Sequence, residues 1–316
     1  MALQLLPSTL TDGLVLGFVY AVIALGYTMV YGVLELINFA HSEIFMTGGV
    51  VGILVLSAIV TSSTPAPLAA ILIALVVGFL AAGLLAVGVE RVAYRPLRLR
   101  GAPRLVPLIS AIGMSFFLQD AVRFFLSLAG RFYVTPPSFP ALNQRVNMGP
   151  VSIQVKSIVV IVVAALMMLA LSYLVNRTRV GKAIRAVAQD RGTAGLMGIN
   201  VDSIIVMTFL IGGGLGGMAG VLFGLQYNQL DPYSGFLPGL KAFTAAVLGG
   251  IGNIPGAMVG GIVLGVIEVI AGTYLPIWTN GAMGTEYKDI VAFAVLIVIL
   301  IFKPAGLLGK AVTEKV

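Results

Sequence analysis

Apolar runs of about twenty residues or more recur along almost the whole chain, at 12–34, 38–60, 67–89, 105–127, 157–175, 203–226, 243–275 and 287–302. A helix needs roughly 20 apolar residues to cross about 30 Å of hydrocarbon, and a barrel would instead show short alternating strands. The pattern therefore predicts an all-α polytopic membrane protein with about eight segments. One run is too long. As a continuous helix, 243–275 would extend roughly 50 Å at 1.5 Å per residue. Gly249, Gly250 and Gly252 loosen it, and Pro255 lacks an amide donor and disfavours helical geometry at Ile254, so two shorter segments should meet near 252–255 in a re-entrant turn. Backbone freed inside a membrane must be buried in protein or line a wet cavity, which makes this break a candidate wall of a pathway.

The segments between the runs set an orientation. Arg91, Arg95, Arg98, Arg100 and Arg104 crowd one connection, and Arg177, Arg179, Lys182, Arg185 and Arg191 crowd another, so both should face the cytoplasm, as should the tail with Lys303, Lys310 and Lys315. STPAP (63–67) carries no base and should lie outside. The stretch 130–156 sits one crossing from each basic loop, hence outside, and its prolines predict an ordered irregular loop rather than a helix. The first run, which begins near Asp12 with no Lys or Arg before it, reads as a retained span rather than a cleaved signal. Glycines repeat at four-residue spacing as Gly212, Gly216, Gly220 and as Gly256, Gly260 with Gly261, Gly265, which predicts close helix approach. The tract 212–217 matches G-x-G-x-x-G literally but lies in an apolar span with no preceding strand, so it is not a dinucleotide site.

Composition sharpens this picture. Of 316 residues, 59% are hydrophobic and 10% charged, more apolar surface than a soluble fold of this size can hide. The formal charge of +7 sits in loops beside apolar runs, the distribution of membrane topology and not of nucleic-acid binding. There is no cysteine, which removes disulfide and thiol chemistry.

Against that background the stretch LELINFAHSEIF (34–45) stands out, because it gathers Glu35, Asn38, Ser42, Glu43 and the single histidine, His41. It reads either as a headgroup-level turn or as polar groups carried into the apolar zone, with Glu35, Asn38 and Ser42 on one helical face. Neither reading is catalytic, since a hydrolase triad or a zinc site would need partners that the sequence does not place around His41. Asp120 and Arg123, three apart, predict a local ion pair, and Ser110, Ser115 and Gln119 a mildly polar face. Glu268 has no neighbouring base in sequence. It either pairs across helices or approaches the outer interface.

Five stretches in order, ALGYTMVYGVLELINFAHSEIFMTGG, ERVAYRPLR, LISAIGMSFFLQ, GKAIRAVAQD with LMGIN, and KAFTAAVLGGIGNIPGAMVGG, closely resemble the LivH-type transmembrane permease subunits of high-affinity branched-chain amino acid ABC importers. The resemblance covers nearly the whole chain, although Ser42 stands where such permeases commonly carry glycine. It implies a single transmembrane permease domain over 1–316 in a bacterial inner membrane, partnered by a second, related permease, two cytoplasmic ATPase subunits and an external substrate-binding protein. No G-x-x-x-x-G-K-[ST] occurs, so the chain should bind no cofactor, with ATP and magnesium held by the ATPase partners. The loop 176–202 then resembles the permease coupling motif, a short helix docking on the ATPase, with Gln189 and Asp190 at its start, Ala194 small enough for close contact, and Gly198 and Asn200 closing it. Candidate path residues are Asn38, His41, Ser42, Glu43, Ser115, Gly249, Gly250, Gly252 and Pro255, and loops 130–156 and 227–242 should dock the binding protein. The rival readings are the same assembly carrying urea or other amino acids, a proton-coupled secondary transporter using His41, Glu43, Asp120 or Glu268, and a passive channel.

Overall fold

The computed structural model describes residues 2–60, 67–103, 105–148 and 151–309. It is helical, apart from one small hairpin. In chain order the elements are α1 (Ala2–Leu34), α2 (Ala40–Ile59), α3 (Pro67–Val89), which runs through a π turn (Glu90–Tyr94) into α4 (Arg95–Leu99), α5 (Leu105–Leu128), α6 (Pro140–Asn143), β1 (Arg145–Met148), β2 (Val151–Gln154), α7 (Val155–Arg177), α8 (Arg179–Gln189), α9 (Arg191–Leu196), α10 (Val201–Tyr227), α11 (Phe236–Gly249), α12 (Ile254–Trp278) and α13 (Lys288–Phe302). Among the described residues seven helices are long and apolar enough to cross a membrane, and α11 is a shorter apolar helix. With α13 these account for the expected segments, the seventh being split into α11 and α12. The expectation for STPAP falls on 61–66, which lie outside the described residues, as do Arg104, Lys310 and Lys315.

The helix α1 is the central stave. Its hydrophobic window is 89% buried, against 22% for α5 and 33% for α7, which lie at the periphery. Close approach is what lets so many apolar helices share one core, because in lipid it is packing and not hydrophobicity that holds them together. The glycine rows mark where this happens. Added side-chain carbons at Gly261 and Gly265 would collide with the backbone of Ala21 and Gly17 on α1, and those at Gly217 and Gly220 with Gly78 on α3 and Gly49 on α2. The helix α10 is thus a hub, with Gly212 facing Gly26 on α1 and Gly213 facing Ala82 and Ala86 on α3.

Four expectations are corrected. The first helix begins at Ala2 and contains Pro7, so the polar residues ahead of Asp12 continue the span instead of preceding it. The stretch 130–156 contains α6 and the β1–β2 hairpin, which the prolines had masked. Glu35, Asn38 and Ser42 do not share a helical face, because α1 ends at Leu34 and Glu35 takes a left-handed φ of 53°. The chain then runs irregularly through 35–39 before α2, leaving Glu35 exposed and Asn38 buried. Nor do Asp120 and Arg123 pair among the described residues. Both are exposed on α5, where an ion pair in contact with water gains little.

Glu268 finds its partners across helices. Its Oε1 accepts from Lys241 Nζ at 2.8 Å and lies 3.1 Å from Lys288 Nζ, its Oε2 accepts from Tyr20 Oη at 3.0 Å, and Lys241 also lies 2.7 Å from Asp289. Two acids and two lysines tie α11, α12 and α13 together at the end of the bundle opposite the arginine clusters. A buried charge left alone costs far more than a pair removed together. Lys288 and Tyr20 stay with Glu268, so Lys241→Met should lower unfolding stability in detergent by about 2–3 kcal/mol, less than the roughly 3–5 kcal/mol of a fully stranded charge, whereas Lys241→Met with Glu268→Leu should cost less still. Equal loss in single and double variants, read by thermal melts, would contradict this account.

Candidate translocation pocket and coupling elements

The polar residues of 38–43 separate once the chain is folded. Ser42 and Glu43 occupy the first turn of α2, where the helix dipole favours an acid. Ser42 Oγ donates to the Phe39 carbonyl at 2.7 Å, and Glu43 Oε1 faces Ser42 Oγ at 3.4 Å and Ser115 Oγ of α5 at 3.5 Å. Glu43 Oε2 is buried without a hydrogen-bond partner and lies at the amino end of α11, where a side-chain carbon at Gly235 would stand 2.6 Å from it. Gly239 meets Ser42 in the same way. Glycine at both places is what allows α11 to lie against this acid.

Beside this cluster opens a pocket of about 290 Å³, lined by Tyr27, Phe39, Ser42, Ile112, Ser115 and Phe116, with Phe236 and Leu240 of α11 closing its wall. Its walls are apolar apart from the hydroxyls of Tyr27, Ser42 and Ser115. The volume is at the low end for small-molecule sites, which are mostly apolar with a few placed polar groups. Such a space suits a small solute with an oily part.

The other sequence candidates lie elsewhere. His41 packs away from the pocket, its ring 4.6 Å edge-on from Tyr27 and close against Gly26 and Gly216, with Nε2 unpartnered. Asn38 Oδ1 accepts from Tyr94 Oη at 2.6 Å, fastening the 35–39 bend to the π turn. Gly249, Gly250, Gly252 and Pro255 sit at the end of the bundle that carries the arginine clusters. Gly250 and Gly252 have φ of 107° and 85°, conformations that glycine alone adopts easily, and Pro255 stands in the first turn of α12. The carbonyls of Leu248 and Gly249, freed by the break, accept from the amides of Leu307 and Leu308 at 2.8 and 3.1 Å. The chain's own tail segment therefore occupies this turn.

At that same end α8 and α9 meet at Asp190. Gln189 closes α8, and Asp190 caps α9 by accepting from Thr193 N–H at 3.0 Å and Thr193 Oγ1 at 2.9 Å, contacts that hold its carboxyl below the usual carboxylate range. Ala194 is buried against its own chain. Gly198 has φ of 84° and follows the last turn of α9, and Asn200 Oδ1 caps α10 by accepting from Ser203 N–H at 3.0 Å. Sequence reasoning passed over three residues here. Leu196 and Met197 project into solvent at 91% and 78% exposure, an apolar knob on a polar surface. The third is Arg191, whose Nε and Nη2 donate to the Val33 carbonyl at 3.2 and 2.8 Å. It satisfies an orphan carbonyl at the end of α1 and joins α9 to the bend that leads into Ser42 and Glu43. The LMGIN stretch held the first signal, two large apolar residues before a glycine. Nothing in the sequence pointed to Arg191, whose partner lies 158 positions away.

A family model described as branched-chain amino acid transport system / permease component matches residues 9–300. A Pseudomonas aeruginosa protein named high-affinity branched-chain amino acid transport system permease protein BraD is 44% identical over 309 residues, covering 97% of each chain. The Escherichia coli K12 protein of the same description, LivH, is 43% identical over 308 residues and 96% of each chain. A shorter likeness, 31% over 144 residues, joins 43% of this chain to 39% of the autoinducer 2 import system permease protein LsrC of Yersinia pestis.

The chain has no native cysteine, so single thiols report directly on the pocket. Ile112→Cys, at the mouth, should react readily with a small water-borne thiol reagent, while Ala111→Cys, one position earlier and fully buried, should not, because only a hydrated thiol ionises. Equal labelling of the two would mean that the pocket is dry or closed.

Proposed function

From its membership of the branched-chain amino acid transport permease family, to which this chain belongs, we propose that it carries leucine, isoleucine and valine across a bacterial inner membrane as one permease subunit of an ABC importer. The full-length identity with two permeases so named carries the reading. The chain forms a transmembrane permease unit and hydrolyses nothing. ATP and magnesium sit on two partner ATPases, an external binding protein delivers the substrate, and a second, related permease supplies the facing half of the path.

The pocket between α2, α5 and α11 is the substrate's way through. Its apolar walls accept the branched side chain, Ser42 and Ser115 offer hydroxyls to the charged head, and the amino end of α11 presents a partial positive charge to the substrate carboxylate, with Glu43 beside it for the ammonium. Phe116 and Ile112 lie at its open side, which the second permease covers. His41 and Asn38 shape the path indirectly, by seating α2 against α1 and the bend against the π turn, and the Gly249–Pro255 turn moves with the tail that clasps it. On the opposite end, Val134 and Leu230 exchange amide hydrogen bonds at 2.8 and 2.9 Å, so the two loops offered to the binding protein form one surface.

Coupling runs through α9. The Leu196–Met197 knob seats in a groove of the ATPase, Gln189, Asp190, Gly198 and Asn200 hold its shape, and Arg191 passes its displacement to Val33 and the 35–39 bend. A cavity of about 490 Å³ between that bend and residues 187–192 leaves room for the movement.

Two measurements test this. In proteoliposomes the assembled complex with its binding protein should hydrolyse ATP faster with leucine, isoleucine or valine and not with urea. Uptake by the single chain, abolished by an uncoupler and indifferent to ATP, would overturn the reading in favour of a secondary transporter. Arg191→Ala should leave assembly and basal hydrolysis intact but lower substrate moved per ATP by about tenfold, the worth of a charge-assisted hydrogen bond, with Arg191→Lys recovering part of it.

A further inference from the structure

We propose that the pocket between the start of α10 and the arginines of the π turn and α4, which follow α3, binds the phosphodiester headgroup of an anionic phospholipid, and that the outer face of α3 holds its acyl chain. The pocket measures about 390 Å³ and is lined on one side by Arg91, Arg95 and Arg98 and on the other by Val206, Met207 and Leu210. Its charges leave a vacancy for one anion. Arg98 is spent on Glu90 at 3.0 Å and Asp202 at 2.8 Å, Arg95 stands 3.4 Å from the same Asp202, and the exposed Arg91 has no acidic partner among the described residues. Three guanidiniums against two carboxylates leave a single positive charge, which one phosphodiester would neutralise.

The height and the apolar surroundings point to a lipid rather than a free phosphate. Leu68, Leu72, Val76, Leu80 and Leu84 are all exposed and follow one another at four-residue spacing, forming an outward ridge on α3. The ridge leads to Gly88, which is exposed and has nothing within 4 Å of where a side chain would begin, so a notch lies directly below the arginines. From Leu72 to Arg91 is roughly 28 Å along the helix axis, close to the thickness of the hydrocarbon layer at about 30 Å. A hydrocarbon layer that covers the whole ridge from Leu68 to Leu84, roughly 24 Å long, would end just short of Arg91 and leave the guanidiniums at headgroup level. Free phosphate would use the arginines but would have no use for the notch or for Met207, which is 37% exposed. Basic pockets between helices at this level are where anionic headgroups settle.

The test uses the full chain in nanodiscs, with native mass spectrometry to count retained lipid as phosphatidylglycerol is titrated into phosphatidylcholine. The expected result is one tightly held phosphatidylglycerol, with apparent affinity falling about tenfold in Arg91→Gln/Arg95→Gln and unchanged in Lys182→Gln, which removes an exposed charge elsewhere on the same end. Gly88→Leu leaves every charge in place and fills only the notch, in open space where it cannot disturb packing, and it should weaken retention as well. Equal retention of the two lipids, or full retention in the double arginine variant, would overturn the proposal. So would displacement of the lipid by inorganic phosphate at matching concentration, which would reassign the arginines to a soluble anion.

Discussion

A backbone amide or carbonyl inside a bilayer has no water to turn to, so every interruption of a helix there must be repaired by protein. This chain interrupts its helices at 35–39 and 250–253, and each interruption is repaired by a segment distant in sequence. At the end of α1 the repair is the Arg191 guanidinium on the Val33 carbonyl, and Tyr94 supports the same bend through Asn38. Between α11 and α12 the repair is the tail, whose amides meet the carbonyls of Leu248 and Gly249. In the loops beyond the other ends of the helices, Val134 and Leu230 bridge each other ahead of α11. The long helices satisfy their own backbones and pack on one another, and these few outside donors hold the breaks between them.

The same constraint explains where the polar side chains went. Glu43 is tolerable because it starts a helix, faces the start of another, and has the Ser42 and Ser115 hydroxyls nearby. Glu268 is tolerable because lysines from two other helices and a tyrosine from a third surround it. The two acids differ in how completely they are met. Glu268 has partners on both oxygens, whereas Glu43 keeps one oxygen unpartnered beside an open pocket. An incompletely satisfied buried group costs free energy that a saturated one does not, and under the proposed function a ligand reaching the first turn of α2 would recover it.

How much of this was legible in the sequence follows from what kind of signal each feature leaves. The helices were legible because hydrocarbon thickness sets a length that apolar runs must meet, and the break in 243–275 because glycine and proline are local in their effect. The packing role of Gly212, Gly220, Gly261 and Gly265 showed in their spacing, whereas Gly217, which meets Gly78, lay outside the spaced rows. The hairpin in 130–156 was hidden by prolines that lie just ahead of it. The 34–45 stretch was misjudged in its geometry, because helical periodicity was carried through Glu35, where the chain turns left-handed, a choice of backbone that a glutamate does not announce. Arg191, Lys241 and Tyr94 could not be found at all, since what distinguishes each from other basic or aromatic residues is a partner many positions away.

The coupling scheme gains its force from the stiffness of α1. Its 33 residues pack closely on α12 along the Gly17 to Gly265 seam and on α10 at Gly26, so a pull on its end at Val33 cannot be absorbed by bending in mid-helix. The give must lie in 35–39, the one irregular segment between α1 and α2. Phe39 belongs to that segment, lines the pocket and accepts the hydrogen bond of Ser42 through its carbonyl. Under the proposed coupling, a displacement of α9 delivered through Arg191 would reach the pocket wall after five residues of irregular chain, without any rearrangement of the core. A device of this kind needs a rigid stave, a short hinge and a single charged hold on the stave's end, and those three parts are contiguous here.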